Sequence, residues 1–419
     1  MKNLKICLLG VAASVLFFAS SCNKELEQIP DPVVAPKSGL TLDQVLQNNP
    51  NYSFYFALVQ RGNQLSLIND STHTYTMFVP NNVGMVKFIS AVAGFNIPYP
   101  GTPDQLILGI INTQIDPLQA AALVQYNTIP QEIKSTNISN NFPNFSYPSA
   151  LNPLPSASPI LRLNVFPTII NGAWLNNIPI TNFDDMAYNG VIHQTATLAV
   201  PGQRTLWDRI STDTGLTYLK AAVERADSGA APTASLKSYL NNEPPNLTVF
   251  SPLTIFAPTN DAFKTTLTGA IAQNLITNGM DPQVAIGTAQ FLASTPDVFS
   301  NPALFPVLTA QTVKGILAYH VLGKKAYTNN FENKFSYGNY YPTLLNTFIS
   351  NHPGLKIKTT YTPQSPFVVS ATVQDVYNNS PAANIIINAS PLLPDPIGSS
   401  DQDYLNGVIH KIDRVLLPQ

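Results

Sequence analysis

The chain has 419 residues, room for two or three domains at roughly 100 to 200 residues each. Its 22 basic and 24 acidic residues give a formal charge of −2, so no basic surplus argues for nucleic acid and no polybasic run for electrostatic membrane binding. Charged residues make up only 11%, against 36 prolines and 10% aromatics, which suits a loop-rich extracytoplasmic protein better than a cytosolic helical one.

At the start, Lys2 and Lys5 precede an apolar run from Ile6 to Ala19. That run is too short to span a membrane comfortably and the right length for a signal-peptide core. It ends in Ala19-Ser20-Ser21-Cys22, which resembles the cleavage box of a bacterial lipoprotein. Residues 1–21 are therefore expected to be removed and Cys22 to carry lipid as the first mature residue. Both cysteines, Cys7 and Cys22, lie in this segment, so the mature chain keeps no second thiol for a disulfide, a metal or a nucleophile. Residues 23–28, Asn-Lys-Glu-Leu-Glu-Gln, resemble the export tag that sends Bacteroidota-type lipoproteins to the outward face of the outer membrane, and a plain solvated tether explains them equally well. Pro30, Pro32 and Pro36 then form an extended spacer up to residue 38.

Leu40 to Leu46 opens the first unit, followed by Phe54, Leu58 and Val59 at helical spacing. Thr205 to Ile210, followed by Tyr218, Leu219, Ala222 and Val223, repeats the pattern. Both read as helices packed onto a sheet. Thr74 to Asn82 is a β-rich run stopped by Pro80, with Asn81 or Asn82 able to cap a helix, and Thr254 to Asn260 matches it around Pro258. After the second corner comes Asp261-Ala262-Phe263, where the first copy has Val83-Gly84-Met85 and lacks an acid favourable at a helix start. Asn189-Gly190-Val191-Ile192-His193 recurs as Asn406-Gly407-Val408-Ile409-His410. Asn-Gly is the dipeptide that most readily takes the φ > 0 of a tight turn, and the alternating run after it reads as a closing strand. On that strand His410 shares a face with Val408 and Ile412, the setting of a hydrogen-bonded core histidine.

These residues carry a resemblance. Asn406 to Pro418 is similar to the C-terminal signature of the fasciclin (FAS1) domain family, Thr254 to Phe263 to its other signature, and Leu317-Ala318-Tyr319-His320-Val321-Leu322 to its Tyr-His segment. The resemblance covers most of the chain after about residue 39. It implies two tandem fasciclin-like α+β domains, each a β-sandwich or wedge with packed helices: domain 1 at 39–201, the more diverged copy, and domain 2 at 202–419, with long insertions. In some animal members the Tyr-His segment is linked to integrin binding. The first copy keeps Tyr126 there and has Asn127 in place of the histidine.

The stretches Ala93–Pro117, Pro130–Pro159, Thr268–Pro306 and Tyr327–Asn384 are too long for plain connections and read as decorations with short elements of their own. Two of them are dense in aromatics, around Phe145 and around Tyr337, Tyr340 and Tyr341. Rings beside amides suit stacking on sugars or docking a protein, and suit folding back on the core as well.

The sequence has no H-E-x-x-H, G-x-S-x-G, phosphate loop or EF-hand loop, and its five histidines show no metal-ligand spacing. The nearest approach to a cation site is Asp184 and Asp185 in one copy and Asp401 and Asp403 in the other, an arrangement more often only a solvated turn. No enzyme, metal or cofactor is expected. The expected function is that of a lipid-anchored surface adhesion protein acting on a protein partner, with Tyr319, His320, Tyr337, Tyr340 and Tyr341 as candidate binding residues. A glycan-capturing accessory lipoprotein and a structural envelope spacer are the alternatives. The expected address is the outer membrane, facing the exterior.

Overall fold

Each half begins with a threonine-capped helix, Leu42–Asn48 or Leu206–Thr212. The Gln44 side chain accepts from the Thr41 N–H, and Asp208 accepts from Thr205, satisfying donors that a helix start leaves open. The helices Ser53–Arg61 and Thr217–Ala226 follow, burying Phe54, Leu58 and Val59 in one and Tyr218, Leu219, Ala222 and Val223 in the other, as the spacing predicts. The structure, a computed structural model, describes residues 39–143, 145–156, 158–231, 235–241, 252–331, 340–362, 365–376, 381–388 and 399–418. Cys22 and Tyr337 lie outside the described residues.

A strand then enters each core, Tyr75–Pro80 and Leu253–Pro258, buried at every position. Side chains alternate across a strand. Met77 and Val79, like Ile255 and Ala257, therefore face the helical layer, while Phe78 and Phe256 face the opposite cluster. Burial on both faces is why these strands read as continuous apolar runs. Pro80 and Pro258 end the ladder, and the Asn81 and Thr259 side chains cap the helices Asn82–Ala93 and Asn260–Thr277 by accepting from Gly84 and Ala262. The predicted strand-to-helix corner is present twice.

The closing strands Gly190–Thr195 and Gly407–Ile412 lie parallel to those entering strands in one register: Tyr75 opposite Gly190 through Pro80 opposite Thr195, and Leu253 opposite Gly407 through Pro258 opposite Ile412. A two-residue strand, Thr128–Ile129 or Val321–Leu322, pairs on the other side of the entering strand. Beyond the closing strand the halves differ. The first sheet continues through Ile178–Ala187, Trp174–Leu175 and Pro167–Thr168, the second through Ala383–Ile385, Ser365–Gln374 and Lys356–Thr362, with Gln402–Tyr404 also on the closing strand. The architecture is α+β, one main sheet per half with helices on one face and irregular chain on the other. The whole of Leu40–Gln419 is one compact unit.

Two of the stretches read as decoration contain core instead. Helices Asp104–Gln114 and Pro282–Leu292 bury Ile107 and Ile111 in one half and Ala285 and Ala289 in the other. They pack differently: the first lies against the helix Ser53–Arg61, the second against Asn260–Thr277. Among the described residues no single helix is long and apolar enough to cross a membrane.

Candidate functional site

The Tyr-His segment closes the helix Ala310–Tyr319, which Thr309 caps at its other end. Tyr319 is 0% and His320 1% exposed. The Tyr319 hydroxyl donates to the Gly354 carbonyl at 2.8 Å. The His320 Nδ1 donates to the Ile316 carbonyl at 2.8 Å, and its Nε2 accepts the Leu416 N–H at 2.9 Å. That pattern is a neutral imidazole, and burial pushes its pKa from 6.5 down to about 4. Asn127 does the same work in the first half, donating to Leu123 and Ala199 carbonyls and accepting the Ala199 N–H. The first copy has therefore not lost the function of the histidine. Asparagine replaces it as the strut between a helix end and the chain leaving the closing strand.

The Asn-Gly dipeptides close the predicted tight turns, Tyr188-Asn189 and Leu405-Asn406, with Gly190 at φ 157°, and they also do something more. Neither Asn189 nor Asn406 is among the described residues at positive φ. Asn189 accepts from the Leu42 N–H and donates to the Ile68 and Asp70 carbonyls, and Asn406 accepts from Leu206 and donates to Leu240. Each clamps the first helix of its half to the closing strand. The glycines are required by close approach, because a Cβ at Gly190 or Gly407 would overlap the carbonyl oxygen of Tyr75 or Leu253. Before each closing strand it is the aspartate, Asp184 or Asp401, that is left-handed, at φ 58°. Asp184 takes the Ser135 N–H and hydroxyl, Asp401 those of Thr328.

His193 and His410 lie beside these aspartates. Each accepts the aspartate's backbone N–H at Nδ1 and donates from Nε2 to Ile133 or Ala326. Burial lowers the pKa of both, which outweighs the opposing backbone bonds and carboxylates. Burial raises Asp184 too, but the Ser135 bonds outweigh it and leave the carboxyl below its ordinary value. Asp184 and Asp401 are thus loop braces, and among the described residues no group of three His, Cys, Asp or Glu side chains could hold a metal.

Between the halves lies a polar cluster the sequence did not reveal. Asp403 accepts from the Tyr327 hydroxyl at 3.0 Å and from the Tyr126 hydroxyl of the first half at 3.3 Å, and pairs with Lys325. Burial, with Asp403 adding to it, raises both tyrosines well above 10. Asn176 donates to the Tyr126 hydroxyl and receives Asn329 at its carbonyl, while Asn171 donates to the Phe331 carbonyl. Phe166 packs on Tyr327, and Phe142 on Phe331 and Tyr341. The matching places in the first half are Met186 and Glu132, so the internal repeat gives no sign of this cluster. Beside it opens a cleft of about 200 Å³ lined by both halves.

Of the aromatic candidates, Tyr341 is 8% exposed and belongs to the core with Phe331. Tyr340 is half-buried beneath the Lys356 ammonium, 4.8 Å from its centroid. Phe145 is exposed but stands at 62° to the buried ring of Tyr147.

The fasciclin-domain family model matches residues 50–201. The second half, outside that match, repeats the order of the three central strands, their register and the polar clamps of the first. Among solved structures it is similar to the FAS1 domain pair of the insect cell adhesion molecule fasciclin I, at 13% identity and a TM-score of 0.32, over 88% of this chain and 98% of that one. The internal repeat, not that likeness, carries the tandem reading. No curated protein matches the chain.

Proposed function

We propose that this is a lipid-anchored adhesion protein of the outer membrane, tethered through Cys22 and facing the exterior, whose fasciclin pair binds a protein partner. Fasciclin domains are in general non-catalytic adhesion or binding modules. The observation that carries the choice of a protein over a glycan is the disposition of the rings. Tyr341 is core, Tyr340 lies under a lysine, and Phe145 has no coplanar partner, so no flat stacking platform is built from them. The reading is tested by applying the full chain in detergent to immobilised matrix and envelope proteins and to a glycan array. Binding to a protein with the glycans left empty is expected; glycan binding alone would overturn it. Cys22→Ala is expected to move the protein from the membrane to the soluble fraction.

A further inference from the structure

The cleft between the halves joins the Ile160–Asn164 segment and Phe166 of the first half to Lys325 and the Tyr404–Gly407 turn of the second. Its charged lining residues are Arg162 and Lys325, and no acidic residue lines it among the described ones. Lys325 already has a counter-ion in Asp403. The half-buried Arg162 instead directs Nη1 to the Pro159 and Leu161 carbonyls, at 2.9 and 2.8 Å. Those two bonds steady a guanidinium whose charge they do not neutralise, in a protein with only 11% charged residues.

A steadied guanidinium is a fork for a carboxylate, giving two parallel charge-assisted hydrogen bonds where an ammonium gives a point contact. The cleft's 200 Å³ is below the roughly 300–1,000 Å³ of drug-sized sites. It therefore suits one inserted side chain better than a cofactor or an oligosaccharide. Pro148, Leu161 and Tyr404 offer apolar wall for the methylenes of such a side chain.

We propose that this cleft receives an aspartate or glutamate side chain of the protein partner, with Arg162 as its ligand. The proposal rests on the reading of the chain as a protein-binding module. Because the cleft is lined by both halves, it exists only where the two are packed together.

The test is an array of short peptides, blocked at both ends, with a central Glu or Asp against matched peptides with Gln or Asn. The full chain is applied alongside R162Q, R162K and the distant surface variant K87Q, each checked for an unchanged melting temperature. The acidic peptides are expected to bind at least about tenfold more tightly than their amides, the worth of one charge-assisted pair. R162Q should abolish that preference, R162K should restore part of it, and K87Q should keep it. Equal binding of acids and amides, or an acid preference that survives R162Q, overturns the cleft while leaving protein binding intact. Failure to bind any peptide also overturns it, and if the protein panel stays empty too, the function reading falls with it.

Discussion

His320 shows how one buried residue ties stability to pH. Its folded pKa of about 4 lies below the unfolded 6.5, so between those values the unfolded chain takes up a proton that the folded chain refuses. Stability present above pH 6.5 is lost as pH falls through this window, by up to about 3 kcal/mol at about 1.4 kcal/mol per pH unit. His193 and His410, also lowered by burial, act in the same direction. Urea midpoints near pH 7 and near pH 4 should show this fall, and His320→Asn should make it shallower; an equal fall in the variant would contradict the assignment. Asn406→Ala strips two buried bonds from the clamp between the closing strand and the first helix. At roughly 1–3 kcal/mol for a buried group left unpaired, it should lower the midpoint clearly, with Asn189→Ala behaving alike in the other half.

At the scale of elements, glycines separate close approach from mere occupancy. Gly407 lies against the Leu253 carbonyl, so Gly407→Ala must push apart two paired central strands and should cost more than about 3 kcal/mol. Gly109, inside the helix Asp104–Gln114, has nothing near its missing Cβ. There, Gly109→Ala should stabilise by about 0.5–1 kcal/mol. Thermal melts of the two variants should move in opposite directions, and a shift in the same direction would contradict the register.

The same contrast explains what could be read in advance. The strand-to-helix corners and closing strands were legible because backbone geometry fixes their residues: a proline that ends the ladder, a cap, a glycine under a carbonyl. Asn127 standing in for His320 was not legible. What persists there is a hydrogen-bonding role, met by a different side chain. The Asn-Gly pairs are legible as turns, while the clamping by Asn189 and Asn406 and the crowding at Gly190 and Gly407 depend on distant chain and are not.

For the whole molecule, the Asp403 cluster makes two repeats one body. Asp403→Ala leaves Lys325, 8% exposed at its side chain, buried without its counter-ion, and removing one partner of such a pair costs about 3–5 kcal/mol. Calorimetry should find one unfolding transition in the parent protein and a lower melting temperature in the variant. Two resolved transitions in the parent would contradict the coupling of the halves.

The claim on which most depends is that the Tyr-His segment is an internal strut and that recognition uses the outer surface. The measurement that tests it most directly is binding of His320→Asn to the same protein panel, beside its melting temperature. Because Asn127 already fills this place in the first half, the variant should fold and bind every protein the parent binds. A variant that melts like the parent yet loses its partner would show that His320 takes part in recognition.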